Sequence, residues 1–271
     1  MMDSVPSAIA PQVARARAVL ERHLGGRIVS IHLFGSAVDD RLRPYSDIDL
    51  LVTVTEPPGK EVRRALMADL LAASAPPGAS PSTRALEVTV LALEHIVPWR
   101  YPPRRELQFG EWLRDEIAAG SLEAPVLDHD LAVLLTKVRA GSIAIAGPRA
   151  ASLFDAVPRA DLTRALVDTV AQWNKPADWT GDERNIILAL ARCWYTASTG
   201  EIASKHAAAA WLLERIDPPY RTVLTKARSA YLGEAQDDLA THAPEVEAFI
   251  AHAQLAVKRL CLAQSVRGHD D

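Results

Sequence analysis

Leu33-Phe34-Gly35-Ser36 is followed, after ten intervening residues, by Asp47-Ile48-Asp49-Leu50-Leu51-Val52. The apolar neighbours Ile48, Leu50, Leu51 and Val52 make the second stretch a buried strand. Carboxylates at i and i+2 of a strand then point to one face. Two like charges side by side are unfavourable unless a cation stands between them, and the usual partner is one or two hard divalent ions with oxygen ligands. Gly35-Ser36, where the first strand breaks into a turn, can bring backbone N–H groups and a hydroxyl close to a phosphate. The competing assignment makes Asp47 a turn cap and leaves Asp49 in water; Gly-Ser upstream at this spacing favours a site. Glu87, in Leu86-Glu87-Val88-Thr89-Val90, offers a third carboxylate from a neighbouring strand, although a glutamate on an edge strand would look the same.

Working outward, residues 14–24 read as an amphipathic helix stopped by Gly25-Gly26, and residues 28–34 as a strand. A loop containing Pro44 leads to the strand over residues 48–55, then come a helix over 61–73 and a strand over 85–93. From Leu127 onward the periodicity is helical, over 130–140, 159–173, 182–199, 204–216, 220–232 and 244–262. The stretch from Gly147-Pro148 to Val157-Pro158 is the expected linker. The expected class is α+β: a mixed-sheet domain over residues 1–157 and a helical bundle over 158–271.

Composition narrows the function. With 30 Lys plus Arg against 34 Asp plus Glu, the net charge of −4 does not suit a protein whose main partner is a nucleic acid. Cys193 and Cys261 are too few for a disulfide framework or a four-cysteine zinc site and read as reduced core residues. The N-terminal ten residues, with Asp3 and Pro6, carry no apolar signal segment, and no run approaches the roughly 18 apolar residues of a membrane span. A cytoplasmic monomer is the expectation, with no membrane partner.

Together, Ile31-His32-Leu33-Phe34-Gly35-Ser36-Ala37, Ser46-Asp47-Ile48-Asp49-Leu50-Leu51-Val52, Arg84-Ala85-Leu86-Glu87-Val88-Thr89-Val90, Leu107-Gln108-Phe109-Gly110-Glu111-Trp112-Leu113-Arg114 and Ala191-Arg192-Cys193-Trp194-Tyr195-Thr196 resemble the streptomycin/spectinomycin adenylyltransferases of the nucleotidyltransferase superfamily. The resemblance runs from about Val19 to Leu232. It implies transfer of AMP from ATP to a hydroxyl of streptomycin (3'') and spectinomycin (9), conferring resistance, with the active site between the two domains. It further implies that Asp47, Asp49 and Glu87 hold two Mg2+ ions, that Glu87 is the general base, and that Ser36 and Ser46 contact phosphate oxygens. Trp112 and Asp182 become drug contacts, and Trp173 with Asp178 meets the guanidinium-bearing ring of streptomycin. Two narrower alternatives are a spectinomycin-only enzyme and a nucleotidyltransferase acting on a non-drug acceptor. A silent binding module that kept the fold would be expected to have lost one of the three carboxylates.

The helical half has charges that plain surface explains poorly. Lys205 follows Ser204 at a helix start, where the macrodipole disfavours a cation and a bound anion would remove the conflict. Arg192 continues a stripe from Asp182, Asn185 and Ala189. Thr180-Gly181-Asp182-Glu183 reads as a capping box and Asp130 as an N-cap. Tyr231 sits in the turn before Gly233, a usual place for a core residue. The resemblance assigns Asp130, Arg192, Lys205 and Tyr231 to the nucleotide. Asn185 stands where the family often has histidine in the drug cleft; it can donate and accept hydrogen bonds but carries no charge.

Overall fold

The computed structural model describes residues 4–39, 42–43, 46–80 and 82–267. Residues 1–3 and Pro44, both used above, lie outside them. The chain divides into two compact units, Met1–Val157 and Pro158–Asp271.

The first unit runs α1 (Ala10–Leu24), β1 (Ile28–Phe34), α2 (Ser36–Asp39), β2 (Ile48–Val54), α3 (Lys60–Ala73), β3 (Leu86–Ala92), β4 (Arg104–Arg105), β5 (Leu107–Phe109), α4 (Arg114–Ala118), β6 (Val126–Leu127), α5 (Asp130–Ala140), β7 (Ile143–Ala146) and α6 (Ala150–Leu153). Five strands form one sheet in the order β5-β3-β2-β1-β7, and β4 pairs with β6 apart from it. Strands β2 and β3 are parallel, with α3 as their crossover, while the other pairs in the sheet are antiparallel.

Period-two alternation sorts the side chains into two layers. Leu50, Val52, Val88, Val90 and Phe109 join α1 and α3 in the main core. Leu51 and Leu91 turn the other way, with Phe34, and pack under Leu131, Leu135 and Val138 of α5 and Phe154 beyond α6. Buried Gln12 ties α1 to the chain before β3: its Nε2 donates to the carbonyls of Ala73 (2.9 Å) and Arg84 (2.8 Å), and its Oε1 accepts from Arg84 N (2.9 Å).

Three expectations change here. The segment 143–146 is a strand that closes the β1 edge, so the helical half does not begin at Leu127. The four-residue run Ile-Ala-Ile-Ala was too short to stand out among helical periods. The stretch 147–157 is no linker, because Ala150 and Phe154 are buried in the α5 layer. Glu87 lies on β3, which is flanked on both sides and is not an edge.

The second unit is helical: α7 (Arg159–Val170), α8 (Glu183–Thr199), α9 (Lys205–Leu213), α10 (Pro218–Leu232) and α11 (Ala243–Arg267). Helix α8 packs against the other four, and Ile186, Ile187, Leu188, Leu190, Ala191 and Cys193 are all buried, as an apolar girdle on a central helix requires. His252 of α11 stacks on Tyr220 of α10 at 4.0 Å and meets Trp194 of α8 at 5.5 Å, locking three helices through one ring. Helix α7 stops at Val170 rather than at Trp173, since Gln254 Nε2 donates to the carbonyls of Val170 (2.7 Å) and Trp173 (2.6 Å). Neither cysteine is in a disulfide, and both are buried. Among the described residues no helix is long and apolar enough to cross a membrane.

Candidate active site

Two of the three carboxylates, Asp49 and Glu87, come together where β1 ends. Phe34 is paired with Asp49, and Asp49 with Glu87, so one cross-strand row holds an aromatic residue and two acids on a single face. Helix α5 covers the apolar part of that face and the acids occupy its end. Gly35 comes next, with φ of +73°. A Cβ there would be driven into the Asp49 carboxylate, so glycine is required both by the backbone and by the close approach of the acid. Ser36 then begins the short α2.

The loop before Asp47 is held by a residue that sequence reasoning missed. Arg84 donates from Nη1 to the carbonyls of Arg43 (2.7 Å) and Ser46 (3.0 Å), while Ser46 Oγ accepts from Arg43 N at 2.9 Å. Ser46 is therefore already engaged in its own turn, where the hydroxyl hydrogen can still donate outward. An arginine just before a predicted strand was visible, but nothing in the sequence links it to a loop some forty residues earlier.

Glu87 accepts a hydrogen bond from Gln108 Nε2 at 3.2 Å, and Gln108 is bonded through Oε1 to Thr89 Oγ1 at 2.8 Å. Three residues past β5 stands Trp112, 61% exposed, its ring over the Cα of Gly110. Its turn is anchored by Glu111, which accepts from Ser74 Oγ and from Arg114 Nε (2.6 Å) and Nη2 (2.9 Å). Hydrogen bonding to Glu111 raises the Arg114 pKa above its ordinary value, keeping that ion pair intact.

Asp130 opens α5 without capping it: Asp128 Oδ1 accepts from Asp130 N at 3.0 Å, and the Asp130 carboxylate lies 3.5 Å from His129 Nε2. The N-cap position is His129, which makes no side-chain cap, and Asp128 is itself fixed by Arg105 at 2.7 Å.

The second unit assembles its own group. Asn185 Nδ2 donates to Asp182 Oδ1 at 2.7 Å, and Lys205 Nζ donates to Asn185 Oδ1 at 3.2 Å. The same ammonium lies 5.7 Å from the ring centroid of Tyr231. Helices α8, α9 and α10 thus each contribute to one polar cluster. Ser204 caps α9, accepting from Ala207 N, which places Lys205 at the first helical position as expected. Two turns beyond Asn185, Arg192 has its Nε buried without a hydrogen-bond partner among the described residues, and an anionic ligand would suit that donor.

The capping box at residue 180 takes another form: Asp182 is the N-cap residue, Glu183 Oε1 accepts from Gly181 N at 3.1 Å, and Thr180 Oγ1 donates to the Pro176 carbonyl at 2.7 Å. Asp178 turns back on its own loop, with Oδ2 accepting from Asn174 N (2.8 Å) and Lys175 N (3.1 Å). Trp173 is half-buried and is held by its backbone carbonyl to Gln254.

Residues 152–255 match the aminoglycoside adenylyltransferase C-terminal domain, and residues 14–96 match the nucleotidyltransferase domain. An aminoglycoside (3'') (9) adenylyltransferase of Escherichia coli is 50% identical over 94% of this chain and 97% of its own length. The chain belongs to the aminoglycoside adenylyltransferase family. A spectinomycin 9-adenylyltransferase of Staphylococcus aureus is 37% identical over 95% of this chain and 98% of its own length. The crystal structure of spectinomycin adenyltransferase from Enterococcus faecialis with ATP and spectinomycin superposes with a TM-score of 0.83 at 28% identity, covering 92% of this chain and 98% of that one. The protein is accordingly a nucleotidyltransferase.

As for the metal, Asp47, Asp49 and Glu87 are hard oxygen donors, and the missing side chain at Gly35 lets the Asp49 carboxylate lie close against the backbone there. Among the described residues no group of three or more His, Cys, Asp or Glu side chains is able to hold an ion by itself.

Proposed function

We propose that the protein transfers AMP from ATP to the 3''-hydroxyl of streptomycin and the 9-hydroxyl of spectinomycin, acting as a monomer on small cationic drugs with no nucleic-acid partner. The observation that carries this reading is the row joining Asp49 to Glu87 directly above Gly35. Asp47, Asp49 and Glu87 would hold two Mg2+ ions, whose chemistry is to neutralise the triphosphate and the charge that develops on its oxygens. Ser36 and Ser46 contribute hydroxyls toward the phosphates. Glu87 takes the proton of the drug hydroxyl as that oxygen bonds to the α-phosphorus; the bond from α-phosphorus to the bridging oxygen breaks and pyrophosphate leaves.

Lys205, Arg192, Tyr231 and Asp130 bind the nucleotide in this reading. Support comes from the buried Arg192 Nε, which an anion would satisfy, and from the place of Lys205 at the start of α9, where the helix dipole favours an anion. Trp112, Asp182 and Asn185 receive either drug, and Trp173 with Asp178 receives the planar guanidinium that streptomycin has and spectinomycin lacks.

The test is pyrophosphate release from ATP and Mg2+ with each drug in turn. Both drugs should be modified, and Asp47→Asn or Asp49→Asn should leave less than about a tenth of the rate, because ions of this kind supply several kcal/mol. Release with spectinomycin alone would reduce the reading to a single-drug enzyme, and release with neither would overturn it.

A further inference from the structure

Glu87 does not stand alone on its strand. Thr89 is two residues on, so both side chains lie on one face, and Thr89 is paired across the ladder with Gln108 of β5. Gln108 bridges the two, with Nε2 3.2 Å from Glu87 Oε1 and Oε1 2.8 Å from Thr89 Oγ1.

The direction of this chain follows from what each group can do. An ionised carboxylate only accepts, so the amide nitrogen of Gln108 must face Glu87 and its oxygen must face Thr89. Thr89, 1% exposed and without access to water, must then donate its hydroxyl proton to that oxygen. If the amide were turned over, two oxygens would face each other at the acid and the buried hydroxyl would meet an NH2 group. Glu87 therefore selects the Gln108 orientation, Thr89 completes it by donating to the amide oxygen, and Gln108 in turn holds one oxygen of Glu87.

We propose that Gln108 and Thr89 are positioning residues for the catalytic base: the bond to Oε1 fixes the plane in which the carboxylate meets the drug hydroxyl. This rests on the reading of Glu87 as the base. Neither residue touches substrate in the proposal, and both act through Glu87. A base free to rotate spends less time in the attacking geometry, so the loss falls on kcat and leaves binding alone.

The experiment is a double-mutant cycle on the full-length protein with steady-state kinetics for both drugs. Gln108→Ala should lower kcat about tenfold with KM for ATP and drug within about twofold, and should cause no further loss in a Glu87→Gln background. Thr89→Val, nearly isosteric and so a safeguard should Gln108→Ala fold poorly, should lower kcat in the same direction, and Thr89→Ser should recover most of that loss. Wild-type kcat in both Gln108→Ala and Thr89→Val overturns the proposal, as does an equal fold-loss with and without the Glu87 carboxylate. Glu87→Gln measured alone separates the two ideas: if it keeps full activity, the assignment of the base fails, whatever Gln108 does.

Discussion

Lys205 and Asp182 are joined through a single neutral side chain, Asn185, which accepts from the lysine ammonium at 3.2 Å and donates to the aspartate at 2.7 Å. A direct lysine–aspartate pair would neutralise both charges. An amide between them orients each by a hydrogen bond, accepting on one side and donating on the other. A cation at the start of α9 opposes the helix dipole by a few tenths of a kcal/mol, which is less than a hydrogen bond to a charged group returns, about 1.5–3 kcal/mol.

Asn185→Ala is expected to release both ends at once. KM for ATP and for drug should each rise several-fold while kcat changes by less than about threefold, because the residue orients ligand-binding groups and touches no reacting atom. Steady-state kinetics with each substrate varied in turn check this. A variant whose kcat collapses with both KM values intact would place Asn185 in the chemical step.

Gly35→Ala should be more damaging than its size suggests. The positive φ costs an alanine roughly 1–2 kcal/mol, and the new methyl group additionally displaces the Asp49 carboxylate. Gly120 offers a matched control, with φ of +77° and nothing within 4 Å of an added Cβ. Both alanine variants should melt a few degrees lower, but only Gly35→Ala should lose activity, by more than about a hundredfold. Equal activities in the two variants would show that Asp49 tolerates displacement.

The row of Asp49 and Glu87 was legible because strand periodicity sets the face of each side chain before any tertiary contact is known. The same periodicity located β1, β2 and β3, whose apolar runs are long. It missed β5 and β7, which are three and four residues long and owe their pairing to longer neighbours. The roles of Arg84 and Gln108 were likewise hidden, since each is set by a partner brought near through the sheet. In the helical half, the stripe from Asp182 to Arg192 could be read along α8. The bridge from Asn185 to Lys205 could not, since it crosses between helices.

His32 gives the protein an acid-sensitive point unrelated to catalysis. It is fully buried on β1, with Nε2 3.0 Å from the Pro148 carbonyl, and burial lowers its pKa below the ordinary 6.5. The unfolded chain therefore takes up a proton near pH 6.5 that the folded chain refuses, so the stability present above that pH declines as pH falls through it toward the lower folded value. His32→Gln, which can still donate to the carbonyl, has no such titration. Between pH 7.5 and 5.5 the melting temperature of the wild type should fall further than that of the variant, and parallel curves would remove His32 as the cause.

Asp178 has two roles that one substitution can separate. Its Oδ2 accepts from the N–H groups of Asn174 and Lys175 and so shapes the turn after α7, while its charge is what a guanidinium would meet. Asp178→Ala removes both; loss of such a capping acceptor costs about 1 kcal/mol and should loosen the turn for either drug. Asp178→Asn keeps an oxygen for the turn and deletes only the charge. A charge-assisted bond is worth roughly 1.5–3 kcal/mol, so Asp178→Asn should reduce kcat/KM for streptomycin by roughly tenfold to a hundredfold and leave spectinomycin within about twofold. Trp173→Ala should behave similarly, because Gln254 holds that residue by its backbone carbonyl and the turn does not depend on the ring. If Asp178→Asn leaves streptomycin modification intact, the carboxylate serves the turn alone, and the discrimination between the two drugs must come from other residues.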